Sequence, residues 1–188
     1  MLRVATPTAH MRPALPIFDE ALRCDFVEAM SRSASSVWLV TTDGPAGRHG
    51  LTVSAVSSVS AEPPMLLACI NRHSPVADAV CRNRLLAVSL LGESQAELAE
   101  LFAGRHPTCT REYGLHADLW ETGLTGAPLL RHAVAAFDCR LEAAHDAGSH
   151  RILIGAILQV GSAVAEPLLY HRRRYTIPSA AATPTQLS

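Results

Sequence analysis

Arg48-His49-Gly50-Leu51-Thr52-Val53-Ser54-Ala55-Val56-Ser57-Ser58-Val59-Ser60-Ala61-Glu62-Pro63-Pro64 alternates along most of its length. The odd positions Leu51, Val53, Ala55, Val59 and Ala61 are apolar, with Ser57 the exception. The even positions Thr52, Ser54, Ser58 and Ser60 carry hydroxyls, with Val56 the exception. A period of two marks a strand with one packed face and one polar face. The polar face carries small hydroxyls and no charge, whereas a strand facing plain water favours Thr, Lys, Glu and Arg. Two readings stand: a Ser-rich face that is solvated, or a face against which a ligand lies. Small side chains admit close approach, and each hydroxyl can donate or accept. Ser57 falls on the opposite parity from Ser54 and Ser58. For Ser57 and Ser58 to reach one ligand, the strand must end, bend or bulge between Ala55 and Ser58.

Working outward, Val37–Thr42 is rich in β-branched and aromatic residues and predicts the partner strand of a hairpin, turned by Asp43–Gly47. Pro63-Pro64 stops the alternating strand, since proline donates nothing to a ladder. Met65–Ile70 predicts a third strand, expected at the centre of the sheet. Ser74 is placed to cap a helix starting at Pro75 and running through Ala77, Val80 and Cys81. Arg84–Leu91 predicts a buried strand, and Ser94 a cap for a helix over Gln95–Phe102 with Gly104 just past its end. Residues 105–132 show little periodicity, and long irregular segments in compact domains are often functional. Ala135–Ala143 and Arg151–Ala163 predict two long strands joined at Asp146–Gly148, and Leu168–His171 a last short one after Pro167. Toward the N-terminus, Phe18, Leu22, Phe26 and Met30 recur every four residues beside Val27. They predict a helix over Phe18–Ser31 with one apolar stripe. The expected organisation is a tail over 1–16, one domain over 17–176 and a tail over 177–188. No βαβ alternation and no G-x-G-x-x-G appears. The expected fold class is mainly β: an antiparallel barrel with a few peripheral helices.

Composition narrows the function. The 188 residues suffice for one domain, and 48% apolar against 18% charged residues exclude a disordered chain. A net charge of -1 leaves no electrostatic footprint for nucleic acid or an anionic membrane. No apolar run approaches the roughly 20 residues of a membrane span. Pro7, Pro13 and Pro16 interrupt any signal-type apolar run, so a cytoplasmic protein is expected. Five cysteines without a C-x-x-C read as reduced thiols. None of the nine histidines shows metal-ligand spacing, so no metal site is expected.

Some residues could carry chemistry. Ser57, Ser58 and Ser60 lie close together, and Ser74 stands at a helix start whose free N–H groups suit a phosphate. Arg48, Arg72, Arg82 and Arg84 could supply countercharge, although Ser before Pro at a helix start, as at Ser74-Pro75, is usually just a cap. His150, after Gly148-Ser149 and before a strand, could face a ligand. No G-x-S-x-G elbow points to a nucleophile, and Cys69 lies within an apolar strand.

The run Gly50–Ser74 closely resembles the flavin reductase family, the small reductase components of two-component flavin monooxygenases. Further matches follow in the family's order: Asn83–Leu91, Gln95–Gly104, Gly126–Leu130, Ala136–Cys139, Gly148-Ser149-His150 and Pro167–Tyr175. Together they cover about residues 20–175. The resemblance implies a split β-barrel homodimer binding FMN or FAD, with NADH or NADPH reducing the flavin and reduced flavin leaving for an oxygenase. By position, Thr52, Val53 and Ser54 are implied near the isoalloxazine, and Ser57, Ser58 and Ser74 at the flavin phosphate. Cys69, Ile70 and Asn71 are implied beside the ring and ribityl chain, and Phe102, Ala103 and Gly104 across from them. His150 is implied as the catalytic-site residue near the nicotinamide, and Tyr170 at the mouth. Two departures stand out: Ser149 occupies a position where the family often has Asp, and residues 105–125 match poorly. A flavin- or haem-binding sensor or carrier without reductase activity is the alternative, and a plain interaction domain with a solvated Ser face is a third.

Overall fold

The computed structural model describes residues 19–107, 110, 114–115 and 118–179. The expected tail over 1–16 and residues 180–188 of the expected tail over 177–188 lie outside the described residues. In chain order the elements are α1 (Glu20–Ser31), β1 (Ser35–Ser36), β2 (Trp38–Thr42), β3 (His49–Val53), β4 (Val56–Ala61) and β5 (Pro64–Asn71). Next come α2 (Pro75–Asn83), β6 (Leu85–Leu90), α3 (Ala96–Phe102), β7 (Trp120–Thr122), β8 (Pro128–Leu130) and β9 (Ala135–Ala147). β10 (His150–Ser162), β11 (Leu169–His171) and β12 (Arg174–Thr176) complete them.

Seven strands form one antiparallel sheet in the order β3-β2-β6-β9-β10-β5-β4. Its two edge strands are consecutive in the chain, with only Ser54 and Ala55 between β3 and β4. The sheet therefore curls until its edges meet through covalent chain, with no ladder between them. The mainly β class is as expected, and the barrel is split where those edges part.

The alternating stretch is thus two strands. β3 pairs with β2 up to Val53 opposite Trp38, and β4 pairs with β5 from Val56 opposite Ala68. The break lies at Ser54–Ala55, ahead of the expected Ala55–Ser58 interval; Val56, Ser57 and Ser58 pair in continuous register, and a further irregularity falls between Ser58 and Ser60. Alternation persists in each half, so the period alone hides the break. Val59 is 47% exposed, which corrects its expected place on the packed face. β5 lies next to an edge, and β9 takes the centre.

Both faces of the sheet are covered around β2 and β6, which is why those strands read as near-continuous apolar runs. On one side Val40, Leu86, Val88, Ile70 and Leu153 pack with Val76, Ala77 and Val80 of α2. On the other, Leu39, Ala87 and Leu91 pack with Ala99, Leu101 and Phe102 of α3 and with Trp120 and Leu129. α2 starts as its sequence predicts: Ser74 Oγ accepts from Val76 N at 3.3 Å, and Pro75 is the first helical residue. α3 is entered through a 3₁₀ turn at Glu93–Gln95. Gln95 Oε1, and not the expected Ser94, satisfies the entry by accepting from Gly92 N at 2.8 Å. α1 stands apart, with none of its residues buried.

Candidate functional site

Where the sheet edges separate, the end of β3 faces the end of β5 across a cavity of about 330 Å³. Its wall is Leu51–Ala55, Cys69–Asn71 and His150. The local pairing explains this grouping. Asn71 and His150 are opposite one another in the β5–β10 ladder. Cys69 N donates to Ala55 O at 2.8 Å, and Arg72 N donates to Ser149 O at 3.0 Å. The tight turn at Gly148, with φ +58°, brings His150 back to the cavity rim.

A smaller cavity of about 150 Å³ shares Thr52, Val53 and Ser54 and adds Val37, Ala103, Arg105, Tyr170 and Tyr175. Of the residues expected at the site, Thr52, Val53, Ser54, Cys69, Ile70, Asn71 and His150 line the first cavity, and Ala103 and Tyr170 the second. Ser57, Ser58, Ser74 and Gly104 lie outside both linings. Ser57 and Ser58 are exposed on β4, and Ser57 Oγ donates to Ser58 O at 3.2 Å. Phe102 is corrected: fully buried and edge-on to Trp120, its ring is core behind the wall.

The small wall residues have separate physical roles. Thr52 Oγ1 donates to Ala99 O at 2.8 Å and so fastens β3 to α3. Gly50 allows the same approach, since a Cβ there would lie 2.6 Å from Phe102 Cε1. Ser54 is exposed beyond the last β2–β3 pair, and its main-chain N–H and C=O have no backbone partner among the described residues. Ser149 Oγ and His150 Nδ1 lie 2.9 Å apart. With Ser149 as donor, the imidazole carries its proton on Nε2. Burial pushes the Cys69 thiol up, which disfavours a thiolate on the cavity wall.

Sequence reasoning missed the rim of the smaller cavity. Arg105 Nη2 donates to Glu100 Oε1 at 2.8 Å and to Tyr175 OH at 3.2 Å. The guanidinium holds the Glu100 carboxyl below its ordinary value, while burial and then Glu100 push Tyr175 up to about 12. Tyr175 packs against Tyr170, centroids 5.4 Å apart, because the two are opposite in the β11–β12 hairpin. The available signal was their separation of five residues around the turn at Arg172-Arg173.

A larger cavity of about 760 Å³ opens beside α3, walled by Leu98, Leu101, Leu119 and Leu130, and shares no lining residue with these two. Among the described residues no group of three metal-ligating side chains occurs.

The flavin reductase like domain family matches residues 30–179, and the chain belongs to that family. It is 47% identical over 169 residues to an FMN reductase (NADH) RutF 1 of Methylorubrum extorquens, covering 89% of this chain and 81% of that protein. It is 41% identical over 178 residues to the FMN reductase (NADH) RutF of Variovorax paradoxus, covering 93% and 96%. Among solved structures, BorF, the flavin reductase component of a bacterial two-component tryptophan halogenase, superposes with a TM-score of 0.75 at 30% identity. That match covers 85% of this chain and 99% of BorF. The styrene monooxygenase flavin reductase of Pseudomonas putida S12 superposes with a TM-score of 0.72 at 25% identity, covering 84% and 99%.

Proposed function

We propose that the chain is an NADH-dependent flavin reductase that binds FMN in the cavity between β3 and β5 and supplies reduced flavin to a monooxygenase component. The observation that carries this is the composition of the wall: small residues at a break in the ladder, a main-chain amide at Ser54 with no backbone partner among the described residues, and His150 opposite. The residues fit the group. A flavin ring needs close approach, which Thr52, Ser54 and Ala55 allow, and partners for its polar edge, which Ser54 offers. Bound flavin supplies the hydride acceptor, and hydride transfer needs close stacking with the nicotinamide instead of an acid–base pair. The wall carries no carboxylate, and burial disfavours the thiolate of Cys69, which is consistent with that chemistry. His150, at the open rim, positions the nicotinamide through Nε2–H.

In this reading the phosphate lies toward the N-terminus of α2. Ser74 N donates to Asn71 O at 2.9 Å, so that helix begins directly beyond the cavity wall. Ser74, the exposed Arg72 and the first amides of α2 offer hydrogen bonds and positive charge there. Ser57 and Ser58 are further hydroxyls on the adjoining edge strand. The named activity of the relatives supports FMN and NADH. No helix of the described residues is long and apolar enough to cross a membrane. A cytoplasmic location and a homodimer belong to the same proposal. The dimer is supported by α1, whose Leu22, Phe26, Val27 and Met30 are 55%, 62%, 40% and 56% exposed in a single chain.

The test is steady-state oxidation of NADH by purified protein with FMN, FAD and riboflavin, and again with NADPH. Oxidation of NADH that depends on added FMN is expected. No flavin-dependent oxidation with either nucleotide would overturn the proposal.

A further inference from the structure

Arg151 follows His150 but turns to the other side of the sheet, where it joins three elements. Its Nε donates to Asp146 Oδ1 of β9 at 2.6 Å, and its Nη2 to Asp146 Oδ2 at 3.2 Å. Its Nη1 donates to Asp78 Oδ1 in the first turn of α2 at 3.0 Å and lies 3.7 Å from Cys81 Sγ. The Arg151 side chain is only 19% exposed, whereas Asp78 is 71% exposed. The pairing with Asp146 and Asp78 raises the Arg151 pKa, and guanidinium stays charged at any working pH.

Asp78 is one helical turn past Ser74. An acid in the first turn favours the helix dipole but repels a second anion brought to the same helix end. Asp146 keeps the field of Arg72 as well as that of Arg151. Among the described residues, Arg151 is the cation paired with Asp78.

We propose that Arg151 is a positioning residue for flavin binding: it neutralises Asp78 and ties the start of α2 to the hairpin bearing His150, so that the flavin phosphate meets a helix end of net positive potential. The inference rests on the phosphate lying near Ser74, as proposed above. Arg151 is not part of the cavity lining, so the role is felt through the phosphate.

The experiment is equilibrium titration of the purified full chain with FMN and with riboflavin, at low and high salt. In Arg151→Met, FMN should bind about fivefold more weakly while riboflavin changes less than twofold, the size expected for one uncompensated surface charge about a helical turn from a phosphate. The FMN deficit should shrink at 0.5 M salt. Adding Asp78→Asn to Arg151→Met should restore the FMN-to-riboflavin ratio, which repair of a merely structural defect would not do. Equal losses for both flavins, or no restoration in the double variant, overturns the inference. If Arg151→Met does not fold, Asp78→Asn alone decides. Selectively tighter FMN supports the role, and unchanged or weaker FMN overturns it. A native chain that binds FMN and riboflavin equally would instead remove the phosphate assignment itself.

Discussion

Thr52 shows how one hydroxyl can serve packing and site together. Its bond to Ala99 O pins β3 to α3, and because the hydroxyl is the donor, both of its lone pairs remain able to accept. Thr52→Val keeps the shape and removes the donor. We expect about 1 kcal/mol lower stability, read from the urea midpoint, together with weaker flavin binding as the two elements loosen. Unchanged stability would mean that this bond is replaced without loss. The thiols give a second prediction at this scale. Cys139 is fully buried, and burial followed by Asp138 pushes it up to about 12. At pH 8 it stays protonated and inaccessible, while exposed Cys24 reacts with a thiol reagent at once. Half-buried Cys69 should react more slowly, and slower still with FMN bound. Mass mapping of the labelled cysteines checks the order, and early modification of Cys139 would contradict it.

Among the elements, α1 differs from α2 and α3 in having no buried residue, so that its apolar stripe of Leu22, Phe26, Val27 and Met30 is exposed among the described residues. Its sequence already shows the stripe, because Leu22, Phe26 and Met30 recur at helical spacing. If the stripe is the dimer contact, Phe26→Glu should give monomers in sedimentation velocity while the circular dichroism of the barrel is kept. A native chain that sediments as a monomer would rule the dimer out. Local chemistry made several elements legible in the sequence. Ser74-Pro75 starts α2, Gly148-Ser149 turns the long hairpin, and Thr52 and Ser54 of the hydroxyl run line the cavity, while Ser57 and Ser58 lie outside it. What stayed hidden depends on partners far away in sequence. The position of β5 beside an edge follows from strand order, which no single strand encodes. Ser94 loses the capping role because the longer Gln95 side chain reaches Gly92 N. Phe102 was expected at the flavin and is core because β7 brings Trp120 against it.

For the whole molecule, the decisive feature is the pair Ser54–Ala55. A seven-stranded sheet ordinarily needs ladder bonds to hold its first strand to its last. Here peptide bonds hold them, and three Cα steps from Val53 to Val56 span at most about 11 Å. The separation of the two edge strands is therefore capped by a covalent length, like the closing link of a chain, and the Cys69 N to Ala55 O hydrogen bond ties that link to β5. An insertion at this point behaves unlike one in an ordinary loop. One added residue between Ser54 and Ala55 lengthens the link by up to about 3.4 Å and turns either the wall or every hydroxyl of β4 to the opposite face. We expect such a chain to fold, since most of both core clusters lies on other strands and helices although Val53 adjoins the link, and to lose flavin binding, as followed by fluorescence titration. Retained affinity would show that the circumference of the barrel is set by something other than its own backbone.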